Sequence, residues 1–538
     1  MKTVKRALLA GAMMLAGMTT AGGAAYAENG QKPQYGGSLE IGTVYVTLSA
    51  LSFDPNDWNW KLNHDTGQYL EQLFQGDLSK ARSRGGPHSF VADGYLPQDA
   101  IRGELAESWE WKDNPLRVEI KLRKGVMFPE KAGVMKSREL TSGDVAYSFN
   151  RLISSPKQQK GYFDHVEKVE TPDPRTVVFY MKHFHAEWDY RFGWGYYSPI
   201  YAKEMVDAGA TNWKNAVGTG PFQLTDYVSG NSNTYTKNPI YWGTEKIGGQ
   251  DYKLPFVDKI TYRIIKDEAT FVTALRTAKL DLLESVRWSH VDELKKSAPK
   301  IQWHRYLANG GQFIALRMDQ KPFDDIRVRR ALNLAVNKQE IVKAYYGGNA
   351  EMLAWPMHPT YTGYYEPLDQ MPDAVKELYS YNPAKAKQLL AEAGYPNGFT
   401  FKTQMTSASV EGDMVQMVAA YLAKVGVKME IQVMEYPAYM SAMGTKTNAP
   451  GYFMFTGATN PTTSLRKNFV KGQYWNPSQW ADPEFDKKMA EVYAEPDERV
   501  RQIKVKLMTR EILDKAPHIF LPVPHVYSAW WPWVRSEE

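Results

Sequence analysis

The sequence predicts a mixed α/β protein built from more than one lobe, and three observations lead there. The chain has 538 residues, 43% of them hydrophobic, a length that divides into two or three domains with ample core. Segments alternating with period two are mixed irregularly with segments of helical period, the pattern of α/β or α+β lobes. No self-similarity at a period of about 20 to 50 residues is evident, which argues against a solenoid.

The elements follow in chain order. Gly37–Gly42 reads as an opening strand, and Arg117–Leu122 alternates polar and apolar like a half-buried one. A helix starts at Thr141-Ser142-Gly143-Asp144, with a hydroxyl cap and an early acid that suits the helix dipole, and continues through Val145, Phe149 and Leu152. Thr176–Met181 and Phe256–Arg263 are strands, and the second leads into a helix from Asp267 through Leu275. Asp324 and Asp325 open another helix, where capping accounts for them better than catalysis does. Asn382-Pro383 sets a cap followed by proline at the first helical position; Leu389, Leu390 and Ala393 form the buried face, and Gly394 stops the helix. A helix over Met414–Ala423 then precedes an alternating strand over Val427–Val433. Gly218-Thr219-Gly220-Pro221-Phe222 is a tight turn whose glycines permit unusual φ. It lacks the helix and Lys-Ser/Thr of a phosphate loop, so no nucleotide is expected there.

The N-terminus carries a leader. Lys2, Lys5 and Arg6 precede an apolar stretch over Ala7–Ala16, and Ala25-Tyr26-Ala27 forms an A-x-A site. The apolar stretch is too short for about 30 Å of hydrocarbon, so cleavage after Ala27 is expected rather than a membrane anchor. The chain contains no cysteine, which excludes a lipid-bearing residue after the leader and any disulfide framework. Export without a tether fits the periplasm of a two-membrane bacterium, the preferred reading, or free secretion. The net charge of +5 is spread over interspersed charges of both signs, so no nucleic-acid partner is implied. Lys80, Arg82 and Arg84 read as a solvated loop. Sixteen Trp, thirty-three Tyr and twenty-one Phe supply large mixed cores and candidate aromatic walls for a ligand.

Seven blocks carry a family resemblance: Leu105–Trp109, Leu122–Phe128, Leu140–Phe149, Val217–Phe222, Phe323–Leu332, Asn382–Ala386 and Leu422–Val427. In this order they resemble the extracellular solute-binding proteins of peptide-type ABC importers, solute-binding family 5. The resemblance implies a two-lobed periplasmic-binding-protein fold with an additional inserted subdomain, three subdomains in all. It implies a signal peptide over 1–27, lobe I over 28–72 and 217–308, an inserted subdomain II over 73–216, lobe III over 309–516, and a return segment to lobe I over 517–538. It also implies a binding protein and not an enzyme, without cofactor or metal, expected as a monomer that delivers a small polar solute to a permease and its ATPase. Hinge closure around the ligand then becomes the signal that the permease reads.

Peptide binders of this family pair the peptide's amino group with a carboxylate four residues before a proline. Here the matching stretch is Phe455-Thr456-Gly457-Ala458-Thr459-Asn460-Pro461, which puts Gly457 in that place, and no Asp or Glu occurs from Tyr452 through Asn468. An unpaired ammonium buried there would be very unfavourable, so the sequence leans from an oligopeptide towards a neutral oligosaccharide-like ligand. Candidate contacts are Trp58, Trp60, Asn63, His64 and Asp65 on one side, against Thr456, Gly457, Thr459, Asn460, Tyr474 and Trp475 on the other. Flat aromatic faces with neutral polar groups suit a sugar; a packed Trp pair with Asp65 as a helix cap is the alternative. Trp194-Gly195-Tyr196-Tyr197 is a third aromatic cluster, for ligand contact or for packing.

Two rival chemistries remain. A secreted carbohydrate hydrolase would need paired carboxylates; Glu71 and Asp77 lie near the first aromatic cluster, but Glu71 falls in an expected helix from Thr66, as a solvated or capping residue. A metal-chelate receptor could use His183 and His185, two imidazoles on one strand face, but no nearby cysteine or third histidine completes a site. The last stretch, Ile519–Trp533, resembles the family's return strand. Relatives usually continue beyond it, so an ending at Glu538 implies either an incomplete lobe I or an interrupted reading frame.

Overall fold

The structure is a computed structural model, and it describes residues 32–43, 52–57, 62, 66–88, 90, 94–157, 161–195, 197–457 and 460–534. Among these residues eight strands form the largest sheet. Its order is Phe222–Val228, Ser232–Lys237, Lys259–Ile264, Ser38–Thr43, Leu282–Arg287, Val523–Trp530 and Gln302–Leu307, with Ala350–Glu351 paired onto Val523–Trp530. Ser38–Thr43 runs parallel to both neighbours, whereas Val523–Trp530 is antiparallel to its own.

A second sheet has the order Lys428–Met434, Thr400–Thr406, Gly451–Gly457, Gly310–Leu316 and His518–Leu521. Its middle strands are buried on both faces. Along Gly310–Leu316, Phe313 and Ala315 enter one core with Trp355, Tyr452 and Phe520, while Ile314 and Leu316 enter another with Phe323, Phe453 and Leu521. Successive side chains go to opposite faces, so a strand with two apolar faces shows no polar alternation.

The third layer is a four-stranded antiparallel sheet, Ala106–Lys112, Arg117–Leu122, Thr176–Met181 and Val166–Asp173. It shares one core with the largest sheet, in which Val118, Phe149 and Phe179 join Ile41, Leu224 and Ile260. The chain steps between the eight- and five-stranded sheets at Ala308-Asn309 and again at Pro522. These two crossings lie side by side, since Ala308 N donates to Pro524 O at 2.9 Å.

The capped helices form where their sequences place them. Thr141 N donates to Asp144 Oδ2 at 2.9 Å, closing the capping box of Ser142–Ile153. Asp267, Asp325 and Asn382 cap Glu268–Arg276, Ile326–Ala335 and Pro383–Glu392. At the Gly218–Phe222 turn the reason for glycine differs from the expected one. Neither Gly218 nor Gly220 has positive φ; instead Tyr69 O accepts from Gly220 N at 3.0 Å, and a Cβ on Gly218 would lie 1.9 Å from that oxygen. Close backbone approach, not backbone freedom, requires both residues. No helix among the described residues is long and apolar enough to cross a membrane.

Candidate ligand-binding site

Strand Gly451–Gly457 pairs antiparallel with Gly310–Leu316, so that Gly457 faces Gly310 and Thr456 faces Gly311. This register brings Gly457 to the end of the five-stranded sheet, beside the crossing at Asn309. Gly457 is exposed, and a Cβ there would meet only Asn309 O, at 3.7 Å, an ordinary contact. Thr456 is buried, with its hydroxyl 3.4 Å from Gly457 O.

After this strand the chain starts helix Pro461–Phe469, with proline in its first turn. Asn460 Oδ1 accepts from Thr462 N at 3.0 Å and from Thr463 N at 3.5 Å. Asn460 is thus committed to capping. All nine residues of the helix are buried. Spacings of three and four residues place Thr462, Thr463, Arg466 and Lys467 on adjoining positions of one face, and the two threonines meet a pair from another layer. Their hydroxyls each lie 2.6 Å from Glu187 Oε1. Glu187 Oε2 accepts from Arg191 Nε at 3.0 Å and Nη2 at 2.7 Å, and Arg191 Nη2 also donates to Thr463 Oγ1 at 3.1 Å. Burial raises the Glu187 carboxyl, but Arg191, Arg466 and the two hydroxyls outweigh it and hold it below the usual range.

Lys467 donates to Gly457 O and lies 5.5 Å from the centre of the Trp475 ring. Trp475 is half-buried and packs edge-on against Tyr474. Tyr474 itself is turned into the fold: its hydroxyl donates to Met440 O at 3.0 Å, and its ring fills the space a Cβ on Gly444 would take.

Of the residues singled out in the sequence, Thr456, Gly457, Asn460 and Trp475 come together around the start of helix Pro461–Phe469. Tyr474 contributes from behind Trp475. Trp58, Trp60, Asn63, His64, Asp65, Thr459 and Tyr196 lie outside the described residues. Trp194 packs on Tyr190 at 4.7 Å between ring centres, and Tyr197 lies under the Arg191 guanidinium; both are buried. Sequence reasoning missed Glu187, Arg191, Arg466 and Lys467. The signals available were the i, i+4 spacing of Glu187 and Arg191, and the appearance of Arg466-Lys467 in a stretch without acids.

Two expectations need correction. Glu71 lies not in a helix but in a single β-bridge with Ile200, after a short turn over Thr66–Gln68. It is buried and accepts from Trp242 Nε1 at 3.0 Å, and burial pushes its carboxyl up to about 7. His183 and His185 follow strand Thr176–Met181 in irregular backbone rather than sharing a strand face. A third histidine is in fact close, because the His165 ring stacks on His185 at 4.1 Å. Burial holds both imidazoles neutral, and no group of three His, Cys, Asp or Glu suited to a metal occurs among the described residues.

The profile of the bacterial extracellular solute-binding proteins, family 5, matches residues 100–479. The chain belongs to this family. Its members are solute binders, and the rival hydrolase reading falls with that assignment. A heme-binding protein of Haemophilus influenzae is 30% identical over 380 residues, 66% of each chain. A glutathione-binding protein of Pectobacterium atrosepticum is 28% identical over 451 residues, 79% of this chain and 80% of that one. An ABC transporter-associated periplasmic binding protein of Helicobacter pylori, solved with the peptide STSA, superposes with a TM-score of 0.75 at 25% identity, covering 93% of this chain and 94% of its own. The family 5 fold, two-lobed and of mixed α/β class, is therefore the fold of this solute-binding protein.

Proposed function

We propose that this family 5 protein is the periplasmic solute-binding component of an ABC importer, and that its ligand is a short peptide or a peptide-like acid. The observation that carries the ligand class is the setting of Gly457. Its carbonyl takes a hydrogen bond from Lys467, so the position that would hold an amine-pairing carboxylate is served by a cation. Relatives named for glutathione, heme and a peptide support solutes richer in charge than a neutral sugar, and the lean towards an oligosaccharide is given up as the first choice. The ligand is held between the five-stranded and eight-stranded sheets, near Thr456, Gly457 and Trp475. The same reading keeps the leader over 1–27, the division into lobe I, inserted subdomain and lobe III, the monomeric state, and docking of the closed form to a permease.

A thermal-shift screen of residues 28–538 tests the ligand class, since a ligand that binds only the native state raises its melting temperature. The panel holds di- to pentapeptides, glutathione, heme and neutral oligosaccharides. Stabilisation by peptides or glutathione is the expected result. Stabilisation by oligosaccharides alone would return the ligand to the neutral class.

A further inference from the structure

Two buried guanidiniums share one carboxylate where the four-stranded layer meets helix Pro461–Phe469. Arg191 and Glu187 are 0% exposed and Arg466 is 4% exposed. Glu187 is fully engaged without Arg466: one oxygen takes the fork of Arg191 and the other takes Thr462 and Thr463. Arg466 donates through Nη1 to Gln473 Oε1 at 2.7 Å. Its Nε and Nη2 are buried without a hydrogen-bond partner. These two atoms form one edge of the guanidinium, with parallel N–H bonds spaced to meet both oxygens of a carboxylate.

The surroundings favour a negative group there. The Cζ atoms of Arg191 and Arg466 lie 3.8 and 4.3 Å from the centre of the Tyr162 ring, so both cations are desolvated on an aromatic face. Lys467 adds a third cation at the next position of the helix. Residues 452–468, the strand end and helix that carry Arg466, contain no acid. Apart from the Tyr493 and Tyr162 oxygens, the Arg466 charge is favoured by Glu187 alone, a carboxylate it shares with Arg191, so the pair carries one positive charge more than it has acids. The cluster also adjoins the candidate site, because Gln473 leads directly to Tyr474 and Trp475, and Lys467 reaches both Trp475 and Gly457.

We infer that the solute is an acid, and that the Nε–Nη2 edge of Arg466 receives its carboxylate, with Lys467 alongside. The inference deepens the solute-binding reading and rests on it, but it does not require a peptide.

Matched probes test it by calorimetry: tripeptides with a free C-terminal carboxylate, the same tripeptides as C-terminal amides, N-carboxyalkyl amino acids as non-peptide acids, and a neutral oligosaccharide. The wild-type protein should bind acids about tenfold or more tightly than the matched amides. Arg466→Gln should erase most of that preference, and Arg466→Lys, which keeps the charge but not the fork, should retain part of it. Equal binding of acids and amides by the wild type overturns the inference, as does a preference undiminished in Arg466→Gln, or no binding by any acid. Should Arg466→Gln fail to fold, Arg466→Lys carries the test, and an acid preference as large there as in the wild type overturns the role of the fork. Binding of non-peptide acids but not peptides sinks the peptide class and leaves the acid inference standing; a neutral oligosaccharide as the tightest ligand sinks both.

Discussion

Gly457 has room for a side chain, since a Cβ there would lie 3.7 Å from Asn309 O, so packing does not require a glycine at this position. An aspartate there would stand beside the Lys467 ammonium and convert part of a cationic setting into a neutral one. Gly457→Asp should therefore fold with little change in melting temperature, gain affinity for peptides with a free amino group, and lose it for acids. Comparing free and N-acetylated peptides by calorimetry checks this; an unchanged ranking would separate position 457 from ligand choice. Glu71 offers a second test at this scale. Burial pushes its carboxyl up to about 7 from an ordinary 4.5, and burial together with the charge of Glu71 raises Glu104 as well. The folded state then holds more protons than the unfolded chain across that window, so stability is present below about 4.5 and declines as pH rises towards 7. Glu71→Gln keeps an acceptor for Trp242 Nε1 and should flatten the decline, whose steepest slope is about 1.4 kcal/mol per pH unit for one group. Urea midpoints at pH 5, 6, 7 and 8 measure it, and identical slopes in both proteins would place the proton elsewhere.

Helix Pro461–Phe469 depends on Asn460 in the way that any helix depends on its cap. Asn460→Ala should cost about 1 kcal/mol and loosen Thr462 and Thr463, whereas Asn460→Ser should keep most of the stability; equal melting temperatures for the two variants would remove capping as the role. Caps are also what made the helices readable. Thr141, Asp267, Asp325 and Asn382 are polar residues at fixed places, and the helices they start lie where their sequences indicate. Arg117–Leu122, with one wetter face, was equally legible, and Thr176–Met181, buried on both faces, was legible from its run of β-branched and aromatic residues. Gly310–Leu316 was not, because both of its faces are apolar and alternation vanishes. Of the candidate site, the sequence singled out Thr456, Gly457 and Asn460, through their place before Pro461, and Trp475, through its aromatic pair with Tyr474. Glu187 and Arg191 meet Thr462 and Thr463 across more than 270 residues of chain, and no local pattern encodes such a contact.

On the scale of the molecule, the same contacts tie the two halves together in addition to the crossings at Ala308-Asn309 and Pro522. Besides Glu187 with Thr462 and Thr463, Ala186 N donates to Tyr493 O at 2.8 Å and Tyr95 to Glu498 Oε1 at 3.3 Å. Rotation about the crossings, the usual hinge motion of two-lobed binders, would part these groups and let water reach Arg191 and Arg466. Removing Glu187 thus penalises the joined arrangement and not the parted one. Breaking a buried ion pair from one side costs about 3–5 kcal/mol when the remaining charge stays buried. Opening limits that loss, because the hydrated guanidiniums no longer need a counter-charge. Glu187→Ala should accordingly increase the ligand-free radius of gyration in small-angle X-ray scattering and weaken ligand binding, while global stability falls by less than the full penalty. Glu187→Gln, which keeps an acceptor for the threonines, should lie between. A radius of gyration unchanged in Glu187→Ala, together with a stability loss of the full size, would make the cluster a fixed part of the core, since the equilibrium between parted and joined forms moves only as far as the two differ in free energy.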